Sequence, residues 1–202
     1  MVKLYWAPRT RSSRPRWMLE ELGVPYELVR LSMEKGEHKS PEYRKIHPLG
    51  AVPALVDGEV TMFESAAMCA YLADKHAYQR LTPTLGTSAR AAYEQWLFFG
   101  MATFEEPLVK MFLHTMLLPP EQRSTRAADE ARARAGEVVK VLEDALADRP
   151  YLLGAEFSAA DVVVGSLVSW SAFMGVLEGF PRVQEYLGRL AARPAFLASQ
   201  AE

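Results

Sequence analysis

The stretch His47-Pro48-Leu49-Gly50-Ala51-Val52-Pro53-Ala54-Leu55-Val56-Asp57-Gly58-Glu59-Val60-Thr61-Met62-Phe63-Glu64-Ser65 decides the fold. Residues 54–56 and 60–63 are short apolar runs joined by Asp57-Gly58, the turn pair of a tight β-hairpin. Pro53 stands at the head of the first run, where it cannot donate to a ladder and marks an edge or a cis bond. Glu64-Ser65 follows the second run and opens a helix that reads to about His76. Upstream, residues 3–6 read as a strand ended by Pro8. Ser12 and Ser13 offer N-cap hydroxyls to a helix carrying Trp17, Met18 and Leu22, and Gly23 stops it. Residues 26–31 read as a second strand, and Ser40-Pro41-Glu42 as a helix start with proline at the first helical position. The order is β-α-β-α-β-β-α, with the first two strands parallel and the hairpin antiparallel.

Downstream no strand pattern appears. Residues 87–118 are apolar and aromatic at helical spacing, and Pro119-Pro120 breaks the run. Residues 121–148 carry mixed charge at helical spacing. Ser158 and Asp161 have the offset of a capping box ahead of a very apolar helix, and Phe157 and Val162 that of a hydrophobic staple. A last helix follows Pro181. The expected division is an α/β domain over residues 1–79, a linker over 80–85 and an all-helical domain over 86–202.

The 202 residues suit one large domain or two small ones at ~150 residues each. Half are hydrophobic and 24% are charged, which excludes a disordered or collagen-like chain. The net charge of −2 lacks the basic field of a nucleic-acid binder. No stretch approaches the ~20 apolar residues that span a bilayer, and the N-terminus lacks a signal-peptide pattern. A single cysteine, Cys69, permits no intrachain disulfide and fits a reducing cytoplasm.

Three segments carry chemistry. An extended ligand pairs with the free backbone of Val52 if Pro53 is cis. At Glu64-Ser65 the helix N-terminus and the Ser65 hydroxyl suit a carboxylate, while the Glu64 carboxylate suits an ammonium; one amino-acid end carries both charges. The turn Pro8-Arg9-Thr10-Arg11-Ser12-Ser13 brings hydroxyls to a helix N-terminus, where they stabilise a thiolate. Lowering a thiol pKa from ~8.5 by about two units takes about 2.7 kcal/mol, and one hydrogen bond to an anion supplies about 1.5–3 kcal/mol. Of the four arginines at positions 9, 11, 14 and 16, one adds positive potential and most lie on a solvated face.

These segments, in this order and with Phe157-Ser158-x-x-Asp161 behind them, closely resemble the cytosolic glutathione transferases, of theta or beta type, essentially from end to end. The resemblance implies a thioredoxin-like glutathione-binding domain, a helical domain, glutathione as co-substrate without a metal, and a homodimer. It implies that Val52, before cis-Pro53, pairs with the cysteinyl part of glutathione and that Glu64 and Ser65 grip the γ-glutamyl end. Lys35-Gly36-Glu37-His38 matches the family's Lys-Gly-x-His segment, so His38 reaches the glycine carboxylate. Ala51 stands where a basic residue is common, and Lys39 is the substitute. The thiol-activating residue transfers onto Thr10 in the theta-like register and onto Arg11, followed by Ser12, in the beta-like one. Thr10 and Ser12 are the candidate hydrogen-bond donors, Arg11 an electrostatic helper, and Tyr5 a more distant alternative. Cys69 reads as a small buried hydrophobe. The second substrate, a hydrophobic electrophile, is expected between the domains against residues 96–117. Competing readings are a non-catalytic binding module of the same family, and a glutathione-dependent peroxidase or isomerase.

Overall fold

The computed structural model describes residues 1–201. The chain divides into two compact units: Met1–Thr82 together with the chain from Ala192 onward, and Pro83–Ala191.

The first unit begins with β1 (Val2–Trp6), α1 (Ser13–Leu22) and β2 (Tyr26–Arg30). Gly23 ends α1 in the left-handed conformation at φ 64°, returning its N–H to Leu19 and Glu20. A 3₁₀ turn over Glu37–Lys39 leads to α2 (Pro41–Arg44), where the Ser40 hydroxyl accepts from the Tyr43 N–H. The hairpin β3 (Ala54–Asp57) and β4 (Val60–Met62) precedes α3 (Ser65–His76). The sheet order is β2-β1-β3-β4, with β1 parallel to β2 and antiparallel to β3. The expected α/β order therefore holds, with strand ends differing by a residue. Leu4, Leu55, Trp17, Met18, Met68 and Leu72 bury completely or nearly so between sheet and helices.

The second unit is helical throughout its named elements: α4 (Ser88–Phe98), α5 (Glu105–Phe112), α6 (Thr125–Ala145), α7 (Ala159–Phe173) and α8 (Pro181–Ala191). The single run read over residues 87–118 is interrupted by two π-helical segments, Phe99–Phe104 and Leu113–Leu117. Gly100 lies in the first of them. A Cβ there would stand 3.3 Å from Val163 and 3.5 Å from Leu167, so the glycine lets α7 approach closely. Within residues 96–117, Trp96, Phe104 and Met111 are core, whereas Phe98 and Met116 are exposed. The His114 Nδ1 accepts the Ser124 N–H at 3.3 Å, a structural use of that ring.

Helix α9 (Pro194–Gln200) departs from the expectation of one helix after Pro181 within a domain ending at residue 202. The chain breaks before Pro194, which starts a new helix because its ring cannot continue the old one. This helix packs within the first unit. Phe196 meets Trp17 edge to face at 4.9 Å, and Arg193 grips Glu21 through two bonds of 2.6 and 2.7 Å. Glu21 also accepts the Trp17 indole N–H at 2.9 Å.

The capping box at α7 is present as read, and it does more than cap. Asp161 is fully buried and accepts from the Ser158 N–H, the Ser158 hydroxyl, the Leu152 N–H and the Tyr186 hydroxyl at 2.8–2.9 Å. Burial pushes its carboxyl above the usual range, and these four donors oppose that shift. Asp161→Ala strands the four donors. At ~1–3 kcal/mol for each buried unsatisfied group, the loss exceeds about 3 kcal/mol and will appear as a lowered urea midpoint with an unchanged slope.

Candidate functional site

The site is built by strand register. In β1 and β3, Tyr5 faces Ala54, and in β3 and β4, Leu55 faces Met62. The chain after β1, the chain before β3 and the chain after β4 therefore all leave from the same end of the sheet. The Val52–Pro53 bond is cis, and Val52 is half-buried outside the ladder. Ser65 is the first residue of α3, and Glu64 before it is exposed at φ 76° and ψ 103°. That conformation is uncommon for a residue with a Cβ, and it turns the chain sharply from the hairpin into α3.

The turn after β1 separates the two hydroxyl candidates. Thr10 is partly accessible and lines a cavity of about 120 Å³, whereas Ser12 is wholly buried. The Thr10 Oγ1 accepts the Ser12 N–H at 3.2 Å and lies 2.8 Å from the Ser12 Oγ and 2.7 Å from the Ala7 carbonyl. A hydroxyl has one proton and two acceptor positions. The single Thr10 proton is thus shared between two acceptors, the Ser12 Oγ and the Ala7 carbonyl, while its oxygen is held by the Ser12 N–H. Arg11, expected as the electrostatic helper, is exposed and does not line this cavity; Arg9 does.

The arginine run departs from the solvated face expected for most of it. Arg9 and Arg11 are exposed, but Arg14 and Arg16 are buried, at 3% and 8% exposure. The Arg14 Nη1 donates to the Ser65 Oγ at 3.1 Å, fixing the start of α3 from α1. The spacing contained the clue: Arg14 stands one turn before Met18, on the face of α1 that enters the core. Beneath the same elements lies Cys69, fully buried, its thiol pushed up to about 12 by desolvation against the opposing effect of Arg14. A thiol so placed is not a nucleophile.

His38 sits half-buried in the 3₁₀ turn, and its Nδ1 has no partner among the described residues. The Lys39 ammonium, considered as a carboxylate ligand, is tied to the carbonyls of Leu49 and Gly50 at 3.0 and 2.7 Å. His47 heads the segment that leads into the hairpin. It is 6% exposed, its ring 5.0 Å from that of Phe63, and burial lowers its pKa while the Glu64 charge opposes this. The ring therefore stays neutral near pH 7 and forms a floor between α2 and the hairpin end.

Gly50 brings these loops together. Its φ is +56°, and a Cβ would stand 2.5 Å from the His38 carbonyl oxygen. Gly58, at φ +63°, has open space where a Cβ would go. Gly58→Ala will cost only the backbone strain, about 1 kcal/mol. Gly50→Ala adds the clash, and its thermal midpoint will fall further by several degrees, at roughly 2–4 °C per kcal/mol for this chain length. Equal midpoints for the two variants would show that the close approach at Gly50 is not required.

Comparison with known proteins gives a consistent picture. Residues 1–74 match the family model for the glutathione S-transferase N-terminal domain, and residues 125–189 that for the C-terminal domain. The chain is 32% identical to glutathione S-transferase 4 of Zea mays over 96% of its own length and 89% of that protein's. It is 30% identical to the disulfide-bond oxidoreductase YfcG of Escherichia coli, over 96% of its length and 92% of that protein's. A glutathione transferase of Phanerochaete chrysosporium, solved in complex with oxidized glutathione, superimposes with a TM-score of 0.88 at 28% identity, covering 98% of this chain and 94% of that one. With both family domains matched and the sheet end, the Glu64–Ser65 helix start and the buried Asp161 cap all in place, the chain belongs to the glutathione S-transferase family.

Proposed function

We propose that this protein is a glutathione transferase whose thiol-activating residue is Thr10. The reading is supported by the cis bond after Val52 at the head of β3, by Ser65 at the start of α3, and by the Thr10 hydroxyl in the turn after β1, the strand that pairs with β3. Reduced glutathione laid across this end of the sheet meets a distinct chemistry at each of its parts. Its γ-glutamyl end meets the Glu64 carboxylate and the α3 N-terminus with the Ser65 hydroxyl, which Arg14 holds in place. Its cysteinyl backbone pairs with Val52, beside Pro53. Its glycine carboxylate takes a hydrogen-bond donor from the half-buried His38 ring in the 3₁₀ turn.

The thiolate then lies at the Thr10 turn. Thr10 gives up its bond to the Ala7 carbonyl and donates to sulfur. Ser12 keeps the Thr10 oxygen in place and acts as a positioning residue. The thiolate attacks a hydrophobic electrophile, its sulfur bonding to the electrophilic carbon while the leaving group departs with its electron pair. Disulfide exchange through a protein thiol is disfavoured, since Cys69 is buried and its thiol is pushed up to about 12. We read the active form as a cytoplasmic homodimer. Exposed apolar rings, Phe63 on the first unit and Phe98 on the second, support a second copy as their cover. Among the described residues, no helix is long and apolar enough to cross a membrane.

The test is an ultraviolet titration of the bound thiol in wild type, Thr10→Ala and Ser12→Ala. Wild type will show a pKa below the free value of ~8.5. Thr10→Ala will raise it by about one to two units, the worth of one hydrogen bond to an anion, and will move the rising limb of the rate profile to higher pH. Ser12→Ala will give a smaller rise. An unchanged pKa in both variants would overturn the assignment.

A further inference from the structure

Three consecutive carbonyls in the loop between α2 and β3 are held by side chains from α2 and the turn before it. The Lys39 ammonium donates to the carbonyls of Leu49 and Gly50 at 3.0 and 2.7 Å. The Tyr43 hydroxyl donates to the next one, that of Ala51, at 2.6 Å. Gly50, in the left-handed conformation, closes the turn by giving its N–H to the His47 carbonyl at 2.7 Å.

Tyr43 is well anchored for this bond. The residue is buried, its backbone N–H is bonded to the Ser40 hydroxyl, and its ring lies 5.6 Å from that of Tyr5 in β1 and 6.5 Å from that of His47. Burial pushes the phenol above its ordinary range, so the hydroxyl keeps its proton and stays a donor. Packing asks only for the ring, which phenylalanine would supply equally well. The hydroxyl adds one bond, and that bond falls on the peptide immediately before Val52.

The Ala51 carbonyl and the Val52 N–H are the two ends of that peptide, which is trans. In a planar trans peptide the carbonyl and the N–H point in opposite directions, so whatever fixes one aims the other. With the Ala51 carbonyl turned to Tyr43, the Val52 N–H points away from Tyr43. Val52 lies outside the β1–β3 register, which starts at Ala54 on this strand, so the ladder does not use this N–H. Ala51 has no polar side chain of its own, and the orientation of the peptide falls to Tyr43.

We propose that Tyr43 is a positioning residue for glutathione: by holding the Ala51 carbonyl, it presents the Val52 N–H to the cysteinyl carbonyl of the ligand. This rests on the transferase reading of the site. Tyr43 acts through Val52 alone, so it governs the affinity for glutathione and not the chemical step.

The test compares wild type, Tyr43→Phe and Gly58→Ala. Gly58→Ala strains the hairpin turn at the opposite end of the sheet and serves as the control for lost stability. Glutathione is titrated calorimetrically into each protein. Tyr43→Phe will bind it about fivefold more weakly, the scale of one neutral hydrogen bond, and Gly58→Ala will bind it as wild type does. In turnover with 1-chloro-2,4-dinitrobenzene, Tyr43→Phe will raise KM for glutathione by the same factor and keep kcat within about twofold. The pKa of the bound thiol will not move. In protein labelled with ¹⁵N-valine, the Val52 amide proton of wild type will shift downfield when glutathione binds, and that of Tyr43→Phe will shift less.

Equal glutathione binding by wild type and Tyr43→Phe overturns the proposal, and so does equal weakening by Gly58→Ala, which would make the effect one of stability. A fall in kcat with KM unchanged overturns it as well. A Val52 amide in wild type that ignores bound glutathione overturns it without any variant. Failure of wild type to bind glutathione at all defeats the transferase reading itself, and the role of Tyr43 falls with it.

Discussion

The antiparallel register of β1 with β3 is the constraint on which the rest of the first unit depends. It is set by backbone hydrogen bonds and by the burial of Leu4 and Leu55, opposed to each other and both fully enclosed. A slip of one residue would turn the buried face outward. It would also shift the Thr10 turn relative to Val52, since the chain after β1 and the chain before β3 leave the same end of that ladder. The hairpin transmits the same alignment to Ser65. The site is thus a by-product of sheet pairing, with loops that need only be short and correctly bent.

Two residues hold those bends, and they work in different ways. Gly50 permits an approach of 2.5 Å between its missing Cβ and the His38 carbonyl, which no other residue allows. Arg14 reaches from α1 to Ser65 through the interior. A buried guanidinium that has lost its water is far more costly to leave unpaired than an exposed one. The helix start is therefore tied to α1 by a bond with a large penalty for breaking.

Much of this was legible in the sequence, and the reasons are local. The Asp57-Gly58 turn, the proline before the strand at residue 54, the Gly23 stop and the Ser158–Asp161 box each state their geometry within a few residues, because backbone conformation and capping are short-range effects. Arg14 and Arg16 were less legible. A charge is usually solvated, and only the helical face on which it falls reveals that its aliphatic stem lies among core side chains. Thr10 and Ser12 could not be ranked from their order, since which hydroxyl is exposed depends on how the turn folds after Arg9, at φ 56°. The π segments were equally hidden, because the apolar spacing of α4 and α5 is shared by a regular helix. The return of α9 was hidden because no short-range pattern tells a helix which unit to join.

That return has a consequence for the order in which the chain becomes a protein. The first unit is assembled from two stretches far apart in sequence: Met1–Thr82, and α9, which seals α1 through Phe196 and the Arg193–Glu21 pair. During synthesis from the N-terminus, the whole of Pro83–Ala191 is made before α9 exists. The unit that starts first is thus completed last. Until then the nascent chain presents Trp17 without its aromatic partner and Glu21 without its cation, and the wall of the Thr10 cavity formed by Ser199 and Ala201 is missing.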